Sequence, residues 1–177
     1  MGKKKGNGKV RSILSAAAIF VLADLGPALG TEQVALVSTH GDWSLMADAD
    51  DPHRFCFVTS EPKTSEPQNV PREAPRAYIS AWPKNGIRAE ISFLMGFRVK
   101  KNAQGTATVS PSDFKLFGAS ERAYVADSTQ ELKLVEAMRK GNTLTVAITT
   151  DRGVNVVDTY SLTGIGQALQ KLQETCF

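Results

Sequence analysis

The sequence predicts a mainly β protein, an antiparallel β-sandwich with two short helices in its C-terminal half. Three observations carry that prediction. Seven to nine short β-branched or aromatic runs are separated by turn residues. One of them alternates strictly, with Ile87, Ala89, Ile91, Phe93 and Met95 on one side and Arg88, Glu90 and Ser92 on the other. The two segments with helical spacing both fall after residue 127, so helices do not alternate with strands as a parallel sheet requires.

In chain order, residues 31–40 read as a short leader and residues 41–46 start the first strand. A turn at 48–52 leads to a strand at 54–59, rich in aromatic and β-branched residues. Residues 61–75 contain Pro62, Pro67, Pro71 and Pro75 and predict a long loop. A strand at 76–82 meets the alternating strand through Asn85-Gly86, a strong hairpin dipeptide. Residues 97–101 and 106–110 suggest another hairpin, and 113–117 pairs with 123–125. Ser128 and Glu131 have the spacing of a capping box, so a helix runs from there to Lys140 and stops at Gly141. Leu144, Val146 and Ile148 alternate, Asp151-Arg152-Gly153 turns the chain, and 154–162 returns beside them. A last helix spans 164–175 and buries Ile165, Leu169 and Leu172.

The chain has 177 residues, which suits a single domain at 41–177. Its net charge of +3 is concentrated at one end. Residues 1–30 hold five basic residues and one acid, which leaves 16 basic and 17 acidic residues in 31–177. A near-neutral remainder argues against nucleic acid as a partner. Residues 1–30 have the order of a secretory signal: a basic start, an apolar stretch at 13–22, and small residues before an expected cleavage after Gly30. The apolar stretch is shorter than the roughly 20 residues that span a bilayer. No later segment is apolar enough to do so, and the expected location is the periplasm or the medium.

Export gives meaning to Cys56 and Cys176, the only cysteines. An even pair in an exported chain reads most simply as one disulfide, worth about 4–5 kcal/mol for so long a loop. The rival is two free thiols. His53 lies near Cys56 but falls in an Asp-Pro turn, a poor place for an activating base.

No reaction is spelled out. There is no G-x-S-x-G, no His pair with metal spacing and no phosphate-binding glycine loop, so no catalytic residue, cofactor or metal is expected. Asp48, Asp50 and Asp51 read as a turn rather than a calcium loop. Asp151, Arg152 and Asp158 read as a surface ion-pair cluster around the last hairpin. If an enzyme is hidden here, Asp158, Tyr160 and Arg152 are the residues to inspect, because Asp158 and Tyr160 share a strand face. Trp43, Trp82, Phe114, Phe117 and Tyr124 read as core or sheet packing.

Several elements together resemble the invasion-associated locus B family, small exported proteins of alphaproteobacteria. They are Trp43, Cys56, Trp82-Pro83, Asp113 to Phe117, Ala137 to Gly141, Arg152-Gly153, Asp158-Thr159-Tyr160-Ser161-Leu162-Thr163-Gly164, Ala168-Leu169 and Cys176. The resemblance covers about 41–177. It implies an immunoglobulin-like sandwich and an envelope or secreted protein named for host-cell invasion. Many members carry a further cysteine after the first Trp strand, where this chain has Met46-Ala47, so one bridge is the most it can form. The family brings no catalytic residues. The expectation is therefore a non-enzymatic binding protein with an unknown envelope or host-surface partner, acting through a sheet edge or the 61–75 loop. The alternatives are a periplasmic enzyme and a periplasmic chaperone or stress factor.

Overall fold

The computed structural model describes residues 1–3 and 33–177. All but the first three residues of the expected export signal lie outside the described residues.

The described chain is mainly β and antiparallel throughout. Its strands are β1 (Val34–His40), β2 (Trp43–Asp48), β3 (Cys56–Ser60), β4 (Thr64–Glu66), β5 (Arg76–Trp82), β6 (Ile87–Leu94), β7 (Gln104–Val109), β8 (Ser112–Ala119), β9 (Arg122–Val125), β10 (Thr143–Thr149) and β11 (Asn155–Ser161). The helices are α1 (Ser128–Lys140) and α2 (Ile165–Cys176). All eleven strands join one continuous ladder in the order β1-β2-β3-β5-β6-β9-β8-β7-β10-β11-β4.

Three residues separate β3 from β4, yet the two strands sit near opposite ends of that order. The sheet must therefore curl until its ends come close. A backbone bond records the meeting: Asp42 N–H, before β2, donates to Thr163 O, after β11, at 3.0 Å. Trp43 is fully buried inside this seam, and its indole N–H donates to Ser161 O at 3.0 Å.

Strand parity decides which side chains go inside. Ile91, Phe93 and Met95 are buried as the alternation predicts, joined by Leu45, Val58, Ile79, Leu116, Leu144 and Val146. The helices add Leu134 and Met138 from α1, and Ala168, Leu169 and Leu172 from α2. Cys56 and Cys176 are bonded to each other, with Cα atoms 6.2 Å apart. The bridge ties the end of α2 to β3, and His53 Nδ1 donates to the Cys176 carbonyl at 2.9 Å beside it.

Three local expectations change. Residues 34–40, expected in a leader, form β1; most of its side chains are exposed, so no inside–outside alternation marked it. The N-cap of α1 is Asp127, whose carboxylate accepts from Gln130 N–H at 2.9 Å. Glu131 turns away from the cap and accepts from Ile91 N–H at 3.0 Å, fixing the helix to β6. Residues 97–101 form no regular strand and keep a single bridge, Val99 to Thr150. The acidic turn is a turn: the Asp48 carboxylate accepts from the N–H groups of Asp50 and Asp51 and pairs with Arg54 at 2.9 Å.

Candidate functional site

The residues singled out for hidden chemistry separate in space. Asp158 and Tyr160 share the inner face of β11 and are both fully buried. Arg152 is exposed in the turn before β11 and makes no ion pair with Asp158. The partner of Asp158 is Arg72, from the proline-rich loop, which reaches its carboxylate with two nitrogens at 2.5 and 2.9 Å. Ser65 donates to the same carboxylate at 2.7 Å, and Arg72 also donates to Met95 O at 3.2 Å. Asp158 thus lies in the core, not in a surface cluster, and the expectation of a surface ion pair is corrected. An inward-pointing carboxylate needs a buried partner, and only the loop brings one.

Burial, and then the Asp158 charge, push the Tyr160 phenol well above its ordinary range. Both effects favour the protonated phenol. Its hydroxyl makes no hydrogen bond within the protein.

The 61–75 loop is not a free arm. Residues Thr64–Glu66 pair with β11, and Glu73 N–H donates to Gly96 O at 2.9 Å. The loop borders a cavity of about 370 Å³ lined by Val70, Pro71, Phe97, Arg98, Arg152 and Val154, among others.

A different surface collects recognition chemistry. On the outer face, Tyr78 of β5, Ser92 of β6, Tyr124 of β9 and Phe117 of β8 stand opposite one another in a single row. A second row runs Phe57, Ser80, Glu90. Phe57 and Tyr78 rings lie 5.6 Å apart, and Phe117 stacks on Tyr124 at 5.5 Å. The Arg122 guanidinium sits 5.0 Å from the centre of the Tyr78 ring and donates to Ser92 Oγ at 3.3 Å. With Phe55 and Trp82, all of these residues except Phe117 line a groove of about 330 Å³. Its lining is five aromatic residues and two serines, with Glu90 and Arg122 as the charged groups. A second cavity of about 530 Å³ shares Glu90 and Tyr124 and continues over Ile87, Val125 and Leu132. Glu131 borders it, and burial raises its carboxyl above the usual range.

The outer faces of curled sheets are usually polar, so six partly exposed aromatics on neighbouring strands are an anomaly. Sequence reading gave Trp82, Phe117 and Tyr124 to packing. The available signal was parity: Tyr78 and Trp82 alternate with Ala77, Ile79 and Ala81, so β5 puts two aromatics on the face opposite its buried one, beside Arg76 and Ser80. Arg72 lacked any local signal, since its partner lies 86 residues away.

Against known proteins, the model of the invasion associated locus B (IalB) proteins matches residues 43–173. The chain belongs to the invasion-associated locus B family. No curated protein matches it. Among solved structures it is similar to invasion associated protein b from Bartonella henselae, with a TM-score of 0.56 at 18% identity, over 79% of this chain and 97% of that one. The likeness is one of fold. The matched region includes Trp43 and the 158–164 element, and the two meet in the structure. Asp158 anchors the loop, Tyr160 fills the core, Ser161 accepts from Trp43, and Gly164 packs under β1.

Among the described residues no helix is long and apolar enough to cross a membrane.

Proposed function

We propose that this chain is an exported, non-enzymatic binding protein that holds a carbohydrate chain of a cell envelope or host surface in the aromatic groove. The observation that carries the proposal is the composition of that groove. Tyr78, Trp82 and Tyr124 supply apolar rings for the C–H faces of a sugar, while Ser80, Ser92, Glu90 and Arg122 supply donors and acceptors for its hydroxyls. The two tyrosines stand two strand spacings apart, about 10 Å, the scale of a disaccharide rather than a single ring. Export is supported by the form of residues 1–30 and by the Cys56–Cys176 bridge, which suits an oxidising compartment. The name of the Bartonella relative makes a host surface one reasonable source of the glycan. A non-enzymatic role is supported by the structural use of Asp158 and Tyr160.

The test is a glycan-array screen followed by titration calorimetry on the best binder. The expected result is saturable binding that Tyr124→Ala and Arg122→Ala each weaken at least tenfold, with unfolding curves little changed. Absence of binding across bacterial and host glycans overturns the reading, as does binding that both variants retain. A second reading, a periplasmic chaperone, is favoured by Phe117 and Leu132, which are 47% and 62% exposed beside the adjoining cavity. It predicts suppression of aggregation of an unfolded client, lost in Phe117→Ser with Leu132→Ser.

A further inference from the structure

The two ends of the ladder differ in kind. The β4 end is three residues long, with Lys63 before it and Pro67 directly after. Shortness, charge and proline are the devices that keep a sheet edge from pairing with another chain. The β1 end has none of them. It is seven residues long and pairs only with β2, so its outer row of N–H and C=O groups has no strand partner among the described residues. From Gln33 to Gly41 there is no Asp, Glu, Lys, Arg or Pro. Val34, Leu36 and Val37 are 42%, 60% and 41% exposed.

We propose that two copies of this chain pair antiparallel through the free edges of β1. Charge argues for a second copy as occupant. Self-pairing sets each side chain against a symmetry-related one, and like charges directly opposite are unfavourable. A strand with no charged residue avoids that conflict, and it also lacks the charge that would select a foreign strand. The bulge at Val37, between the Leu36 and Ser38 pairings, limits the regular free edge to its N-terminal half. A two-fold axis at Ala35 then sets Leu36 of one copy against Val34 of the other, twice over. Such an interface is isologous and closes at two chains rather than growing into a fibre. The aromatic groove lies across β3, β5, β6 and β9 and does not include β1, so the pairing would join two binding faces in one particle.

The test uses protein recovered from the periplasm and medium of cells expressing the full chain. Sedimentation equilibrium is expected to give a dimer at micromolar concentration, and Leu36→Lys is expected to weaken association at least tenfold. Ala35→Cys should form a covalent dimer on mild oxidation, whereas Val154→Cys, an exposed apolar position elsewhere, should not. Thermal melting controls for folding, and the Ala35→Cys cross-link reads the axis without disturbing the strand. A monomer at 100 µM overturns the proposal, and so does a dimer that Leu36→Lys leaves intact or that Ala35→Cys fails to trap. A monomer that instead captures an extended peptide along β1 assigns the edge to a foreign strand and equally overturns it.

Discussion

At the scale of single residues, the most consequential contact is Arg72 with Asp158. The Asp158 carboxylate is fully buried and the Arg72 side chain is 9% exposed. A pair this dry is weak evidence of net stabilisation, because desolvating both charges offsets much of their attraction. Breaking it is another matter, since a lone buried charge has no solvent to fall back on. Arg72→Met is expected to cost about 3–5 kcal/mol in urea unfolding. Adding Asp158→Leu should recover most of that loss, since no charge is then left uncompensated. A small effect of Arg72→Met alone would mean that Ser65 and entering water already satisfy the carboxylate. Sequence reading placed Asp158 and Tyr160 on one strand face correctly. It placed Asp158 on the wrong side of the sheet because a charged residue was presumed to face water, and the neutralising arginine comes from a distant loop.

At the scale of elements, local chemistry was legible wherever burial is one-sided. The pattern of β10 appears as read and that of β6 does so at Ile91 and Phe93, because each of these strands has one face against the core, while Ser92 of β6 is buried on the other face and Ile87 and Ala89 are half-buried. β1 escaped notice because few of its side chains are buried. The start of α1 shows a competition: Asp127 caps the helix, which frees Glu131 to bind the backbone of β6. The disulfide acts between elements, closing a sequence separation of 120 residues. Replacing both cysteines by alanine is expected to lower unfolding free energy by about 4–5 kcal/mol, an entropic effect on the unfolded chain. Intact mass before and after reduction, which should differ by two protons, checks the bridge itself. Guanidinium unfolding of the double variant checks its worth, and a loss under about 1 kcal/mol would mean that α2 packing alone holds the end of the chain.

At the scale of the whole molecule, the decisive feature is the seam where the curled sheet meets itself. Two glycines make the approach possible. Gly41 (φ +56°) and Gly164 (φ +88°) lie so close to the facing backbone that a Cβ would come within 2.4 Å of Thr163 O and 2.1 Å of His40 O. Both are in the left-handed region, where a side chain is strained in any case. Gly164→Ala is therefore expected to destabilise by about 2 kcal/mol or more in thermal or urea unfolding, through backbone strain and a parted seam. Gly153→Ala offers the comparison: its φ is also positive, but nothing lies within 4 Å, so its loss should be smaller. Equal losses would show that the close approach itself carries no weight.

The sequence by itself determined most of the strands and both helices, that the fold is mainly β and antiparallel, and which two cysteines were available to pair. Those properties follow from periodicity, capping and turn residues, all of which act over a few positions. The tertiary structure decided the rest: that eleven strands form one ladder, that β1 is a bare edge among the described residues, that Arg72 neutralises Asp158, and that β3, β5 and β9 bring their aromatics into one groove. Each of these depends on residues far apart in the chain. Strand order and register create the neighbours, and no local pattern encodes which strands will meet.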